Sequence, residues 1–368
     1  MTDSMIRVLG MMSGTSLDGV DAAMIETDGV QIGAFGQSGY RAYPGDEAAV
    51  LHEALGRWPG DDGVVEAAEL SVAAHAALAA DFPEAVLIGY HGQTLAHDPD
   101  GRGTHQAGSG GALAQMTGRH VVWDFRTEDV RQGGQGAPLV PFLHWACADW
   151  AVRNGCMSRE PVVFLNLGGV GNLTWVDPYS TGPEDGCIAF DTGPANAPIN
   201  DMMRIRGLGE RDEGGALAVR GQEDSGLVAR FLRHPYFDRK PPKSLDRDAF
   251  SSLSRAVAGL SPEDASATLV AAVAGSVAAG MKHLPANPAR ILVCGGGRHN
   301  AAIMAALAGG LVCPVEPVEA IGLDGDMLEA QAFGWLAVRV LRGLPTSGPL
   351  TTAVPDYVCG GRISAPTV

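Results

Sequence analysis

Gly10-Met-Met-Ser-Gly-Thr-Ser-Leu-Asp-Gly19 follows an apolar run that reads as a buried strand, and the chain turns there on its glycines. Strands are predicted over residues 5–12, 20–27 and 30–36, and Asp28-Gly29 between the last two is a strong hairpin signal. The same order returns in the second half. Pro161-Val-Val-Phe-Leu-Asn166 leads into Asn166-Leu-Gly-Gly-Val-Gly-Asn172, and Asn172-Leu-Thr-Trp-Val176 leads away from it. A third turn, Cys294-Gly-Gly-Gly-Arg-His-Asn300, follows the strand Arg290-Ile-Leu-Val-Cys294. Strand, glycine turn and strand, twice over and interleaved with helices, predict an α/β protein with an internal duplication.

Working outward, helices are predicted near 46–57, 64–81 and 109–118, with buried strands at 85–89 and 120–123. The polar loop 124–138 carries Gly133-Gly-Gln-Gly136 and is long for a compact domain, which points to function. Asp191-Thr-Gly-Pro194 is expected to end a strand and open a helix, with proline in its first turn. Residues 205–260 read as a peripheral insertion, residues 262–283 and 326–341 as helices, and a further helix starts near 299. The tail from Pro345 reads as loosely structured.

The 368 residues, 46% hydrophobic and 18% charged, suit about two globular domains. A net charge of −16 makes nucleic acid and anionic membrane poor partners. Lysine occurs only at 240, 243 and 282, so an anion site must rely on arginine, backbone N–H or a metal. The start lacks a basic segment followed by a long apolar core, so no secretory signal is expected. The apolar stretch 267–281 is short for a membrane span. Six cysteines without CxxC spacing read as scattered buried thiols, and a cytoplasmic enzyme without a structural metal is expected.

P-loop, GxGxxG, GxSxG and HExxH patterns are absent, which removes those nucleotide, hydrolase and zinc chemistries. The turn Ser13-Gly14-Thr15-Ser16-Leu17-Asp18-Gly19-Val20 joins flexible backbone to hydroxyls, and successive N–H groups in such a turn form an anion-binding nest. Asp18 would hold Mg²⁺ through water, since that ion keeps much of its hydration shell. A plain hairpin with Asp18-Gly19 as turn residues reads equally well. Gly168, Gly169 and Asn172 form a second candidate phosphate clamp. The third turn, Gly295-Gly296-Gly297 to Asn300, suits a purine against bare backbone. Each also fits a close backbone crossing. Three such turns together suggest one nucleotide gripped from two sides.

Asp191 at a strand end is a natural general base, with a helix N-cap as its plainer reading. In His91-Gly-Gln-Thr94, Thr94 and Gln93 suit a sugar, while His91 reads as structural. Arg126 is the favoured clamp for a substrate carboxylate, because a guanidinium binds one bidentately. Glu329, three residues after Asp326, fits either a capping box or a contact to sugar hydroxyls.

These segments, together with Asp124-Phe-Arg126, Gly133-Gly-Gln-Gly-Ala-Pro-Leu139 and Phe190-Asp-Thr-Gly-Pro194, closely resemble the bacterial anhydro-N-acetylmuramic acid kinases from about residue 7 to 342. The resemblance implies a duplicated actin/hexokinase-like (ribonuclease H-like) ATPase fold, two lobes around a central cleft. The expected lobes are 1–138 with 330–368, and 139–329. It also implies ATP and Mg²⁺ as cofactors, a homodimer, and a combined reaction. In that reaction water opens the 1,6-anhydro bridge while ATP phosphorylates O6, with Asp191 activating the water. The Ser13–Val20 turn would bind ATP phosphates, and Thr94, Arg126 and Glu329 the sugar. One departure stands out: Ser109 occupies a place where the family has aspartate. The rival expectations are another sugar or acyl kinase of this fold, and a non-catalytic regulator responding to ATP or sugar.

Overall fold

The computed structural model describes residues 4–245 and 249–367. They divide into unit 1, Met1–Arg153 with Thr181–Asp185 and Met327–Val368, and unit 2, Asn154–Ser180 with Gly186–Asp326. The strands of unit 1 are β1 (Ile6–Ser13), β2 (Gly19–Thr27), β3 (Ile32–Ala42), β4 (Leu87–Asp98), β5 (Gly103–Ala107) and β6 (His120–Trp123). Unit 2 holds β7 (Val162–Leu167), β8 (Val170–Val176), β9 (Cys187–Pro194), β10 (Arg290–Cys294) and β11 (Val315–Pro317). A last strand, β12 (Arg362–Ser364), returns to unit 1.

The two sheets repeat one topology. Unit 1 runs β12-β6-β4-β1-β2-β3, with β5 paired to β4, and unit 2 runs β11-β10-β7-β8-β9. In each, three antiparallel strands (β1-β2-β3 and β7-β8-β9) are extended on the first strand's other side by two parallel ones. That is the expected duplicated ribonuclease H-like arrangement. It follows from hairpins that need only short turns, while parallel neighbours require helical crossovers.

The helices are, in order, α1 (Gly45–Glu53), α2 (Val64–Ala79), α3 (Gly110–Thr117), α4 (Thr127–Arg131), α5 (Pro141–Arg153) and α6 (Pro183–Gly186). They continue as α7 (Asn196–Ile205), α8 (Ser225–Phe231), α9 (Ser251–Ala256), α10 (Pro262–Met281), α11 (Ala301–Gly310) and α12 (Leu328–Leu341). Local chemistry sets several starts. Ser109 caps α3 by accepting the Ala112 N–H, Asn300 caps α11 through Ile303, and Ser261 with Pro262 opens α10. Helix α10 is long and apolar enough to cross a membrane, with mean hydropathy 1.4. Its Ala265, Leu269, Val273 and Val277 instead lie in the core of unit 2.

Glycines set the distance between the unit 1 sheet and α12. A Cβ at Gly10 would come 1.8 Å from the Ala330 carbonyl oxygen, and one at Gly89 2.0 Å from that of Phe333. Only bare backbone lets the helix lie this close across β1 and β4.

Several expectations are corrected. The first boundary falls after Arg153, not 138, because α5 packs on unit 1: Trp150 meets Phe35 edge-on and Arg153 bonds the Ile32 carbonyl. Glu329 sits in unit 1, since the unbroken α12 packs there as one body. Residues 205–260 are no peripheral insertion, because Tyr236, Phe237, Phe250 and Leu253 join the core of unit 2. Residues 246–248 of that stretch lie outside the described residues. The tail is packed as well, with β12 on β6 and Thr346, Ser347, Thr351 and Thr352 buried. Cys156 and Cys359 are exposed, not buried, and none of the six cysteines is disulfide-bonded.

Candidate active site

In unit 1 the first glycine turn is tied to β4. Ser13, fully buried, donates to Gln93 Oε1 at 2.5 Å, and Gln93 Nε2 donates to the Gly14 carbonyl at 3.1 Å. Gln93 is therefore committed to the turn, which corrects its reading as a sugar contact. Thr15, Ser16 and Asp18 remain exposed, while Leu17 turns its side chain inward at φ 58°. The Ser16 hydroxyl donates to Asp18 Oδ1 at 2.7 Å, and the Asp18 carbonyl accepts from Tyr40 and from the Tyr43 N–H. Glycine is required at 19, where a Cβ would meet the Arg41 carbonyl at 2.4 Å. At Gly14 the nearest atom would be 3.4 Å away and φ is not positive. Val20 is buried beneath the turn.

The His91-Gly-Gln-Thr94 segment lies inside β4, which continues to Asp98 and does not stop at 89. His91 is buried and neutral, because burial and the neighbouring Arg126 hold its pKa well below the usual range. Its Nε2 accepts from Arg126 Nε at 3.1 Å, so Nδ1 carries the proton and donates to the Gly92 carbonyl. Arg126 also donates from Nη1 to the Gly136 carbonyl at 2.7 Å. Among the described residues Nη2 makes no hydrogen bond. Burial lowers its pKa to about 10, opposed by Glu329 and Asp129, so the guanidinium stays charged. Thr94 Oγ1 accepts from Gln106 at 3.3 Å.

Glu329 lies half-buried in the first turn of α12. The capping box is not formed. The N-cap is Met327, the Asp326 N–H donates to Asp324, and the Asp326 carboxylate is paired with Arg298.

Asp129, fully buried, was missed by sequence reading. It accepts from the Gly136 N–H at 2.7 Å and from the Ser347 and Thr352 hydroxyls. This carboxylate folds the 133–136 loop against the tail and so sets the carbonyl that anchors Arg126. Its two hydroxyl partners lie more than 200 residues away, so local pattern carries no trace of them. Ser109 is the N-cap of α3, a position that serine and aspartate both fill well.

In unit 2, Gly168 and Gly169 form the β7–β8 turn, and their carbonyls accept N–H bonds from Ala195, Asn196 and Ala197. Neither has a positive φ, and a Cβ at either would meet nothing closer than 3.6 Å. Asn172 faces Asp191 across the β8–β9 ladder. Asp191 lies within β9, since the strand runs on through Pro194 and α7 starts only at Asn196. The predicted strand end is thus three residues early, and Asp191 caps no helix. Its Oδ2 accepts from the Leu245 N–H at 2.7 Å, and packing around the carboxyl pushes its pKa up to about 7. A partly buried carboxyl that changes charge near neutrality is suited to taking a proton.

In the third turn, Gly295 and Gly297 are needed for packing: a Cβ would meet Asn166 Oδ1 at 2.2 Å and Leu167 Cβ at 2.4 Å. Only at Gly296 would a Cβ meet no clash, its nearest atom being Asn196 Nδ2 at 3.8 Å. Arg298 locks the turn through the Gly295 carbonyl, both oxygens of Asp326, and Glu319. Asn300 Oδ1 is occupied as a cap. No cluster of three or more His, Cys, Asp or Glu suited to a metal occurs among the described residues. Asp18, a single exposed carboxylate with one oxygen engaged by Ser16, fits Mg²⁺ held through water and not an all-protein cage.

The family model described as anhydro-N-acetylmuramic acid kinase matches residues 6–365. A relative of that name from Cereibacter sphaeroides is 61% identical over 363 residues, covering 98% of this chain and 96% of its own length. "Anhydro-N-acetylmuramic acid kinase 1" of Jannaschia sp. is 57% identical, covering 97% and 94%. A solved ROK family glucokinase from Streptomyces griseus, in complex with glucose and AMPPNP, covers 90% of this chain and 99% of its own. It is 13% identical with a TM-score of 0.41. The chain belongs to the anhydro-N-acetylmuramic acid kinase family.

Proposed function

We propose that this kinase binds ATP and 1,6-anhydro-N-acetylmuramic acid and couples hydrolysis of the anhydro bridge to phosphorylation of O6. The products would be N-acetylmuramic acid 6-phosphate and ADP, in recycling of cell-wall sugar. Asp191 takes a proton from water, the water oxygen bonds to C1 and the C1–O6 bond breaks. O6 then receives the γ-phosphoryl group as the bond to the ADP oxygen breaks. The observation that carries this reading is Asp191 itself, a carboxyl raised to about 7 beside Asn172.

The Ser13–Val20 turn and the Gly168-Gly169 turn with Asn172 bind the phosphates. Support comes from Gly14, Gly168 and Gly169, where the protein's own packing does not demand glycine and a close-lying ligand would. Gly296, in the third turn, is open in the same way and suits the adenosine. Arg126 offers Nη2 to the lactyl carboxylate, and Thr94 and Glu329 contact the sugar. Mg²⁺ held through water by Asp18 would offset phosphate charge. Phosphoryl transfer depends chiefly on such positioning and charge stabilisation.

The test is ADP release from ATP and Mg²⁺ with the anhydro sugar, N-acetylmuramic acid, N-acetylglucosamine and glucose compared. Release with the anhydro sugar alone, one ring-opened phosphorylated product per ADP, supports the coupled reaction. Release with an ordinary sugar moves the activity to a related kinase.

A further inference from the structure

Residues 236–245 carry no motif that sequence reading used, yet they hold Asp191 on three sides. The Asp191 N–H donates to the Lys243 carbonyl at 3.0 Å. A regular parallel bridge would then send the Leu245 N–H to the Asp191 carbonyl. Here that N–H goes to carboxylate Oδ2 at 2.7 Å, and the carbonyl accepts the Tyr236 hydroxyl at 2.6 Å. The exchange converts an ordinary edge pairing into a grip on the carboxylate.

Lys243 closes the segment on itself. Its side chain is buried, the residue being 6% exposed, and Nζ donates to the Tyr236 carbonyl at 3.1 Å. The ammonium lies 4.5 Å from the Tyr236 ring centroid and 5.6 Å from that of Phe190, the residue before Asp191. Among the described residues no carboxylate lies within ion-pair distance of it. A buried ammonium is costly, and two ring faces offset part of that cost only while the rings stay in place. Burial lowers its pKa to about 8, with Arg239 pushing the same way and Asp238 opposing. Tyr236 and His283 are the other titratable groups packed here, His283 edge-on to Phe190.

We propose that Tyr236 and Lys243 are positioning residues for Asp191, closing residues 236–245 into a strap that aims its carboxylate and keeps bulk water from it. The proposal rests on reading Asp191 as the base, but its first test does not. In the full chain, Tyr236→Phe removes one hydroxyl and keeps the ring, and Lys243→Met removes the ammonium at similar volume. The Asp191 carboxyl is titrated by carbon-13 NMR, assigned with Asp191→Asn, and kcat and KM are measured against pH.

The strap predicts that the carboxyl titrates about one unit or more lower in both variants, because rehydration favours its charged form. It also predicts a kcat reduced about tenfold or more, its acid limb moving with the carboxyl, and KM for ATP unchanged. A carboxyl that titrates as in the parent in both variants overturns the proposal, whatever the melting temperature does. If the carboxyl moves while kcat and its pH profile do not, the strap stands and the base reading of Asp191 falls.

Discussion

Asn172 and Asp191 are directly opposed across the β8–β9 ladder, with a register shift between Gly171 and Asn172 beside them. Opposed residues of an antiparallel pair present their side chains on one face. The candidate phosphate clamp and the candidate base are thereby joined through two strands of one sheet, with no loop between them. Sites built on strands hold their geometry more closely than sites on loops. Asp191→Asn should leave this ladder intact. We expect turnover to fall about 10²–10⁴-fold, the usual contribution of a general base, with ATP affinity retained. ADP-release kinetics beside calorimetric ATP binding check this; near-parental turnover removes Asp191 from the role.

The raised Asp191 carboxyl has two pH consequences. As a base it must be ionised, so kcat should climb as pH rises through about 7. For stability the sign is opposite. A carboxyl titrating higher folded than unfolded leaves the native state with more bound protons between those two values. Stability contributed by the neutral form is complete at low pH and is lost as pH rises toward 7. Asp191→Asn should therefore melt above the parent at pH 8 and converge with it near pH 4. Equal melting curves at both pH values would contradict the partly buried, raised carboxyl.

The strand order and the glycine turns were legible because period and turn chemistry are local. The anchoring of the site was not. Gln93 looked like a ligand contact, yet its partner Ser13 is eighty residues away, and a side chain's partner cannot be read from spacing. The stretch 205–260 looked peripheral because its short helices lack periodic apolar faces, while its aromatic residues meet only in the folded core. One signal was available for Lys243: in a chain with lysine at three positions only, a lysine after two prolines marks an unusual place.

Asp129 should be costly to lose. Asp129→Ala strands the Gly136 N–H and two buried hydroxyls, and each such group costs roughly 1–3 kcal/mol unless water reaches it. We expect a loss of about 3 kcal/mol in urea unfolding, and a raised KM for sugar because the Gly136 carbonyl anchors Arg126. An unchanged KM in the folded variant would separate the loop from sugar binding.

Glu329→Gln tests a different group on the same unit. No capping box forms at the start of α12, so the substitution removes no helix cap; it removes the charge that favours the charged form of the Arg126 guanidinium. Sugar affinity should fall while ATP affinity does not. A lower melting temperature with sugar binding intact would return Glu329 to a purely structural role.

Glycine substitutions separate ligand approach from packing. Gly10→Ala places a methyl group 1.8 Å from the Ala330 carbonyl oxygen, backbone that cannot turn aside, so α12 must lift from β1. Overpacking of this kind costs about 1–3 kcal/mol or more. Gly168→Ala meets its nearest atom at 3.8 Å and its φ is not positive. Its stability should match the parent's, or gain slightly from the reduced freedom of the unfolded chain. If the turn cradles phosphate, however, the added methyl stands where the ligand lies, and ATP affinity should drop about tenfold or more, a loss of about 1.4 kcal/mol. Parental ATP affinity in stable Gly168→Ala would mean that the turn is bare for some reason other than a nucleotide.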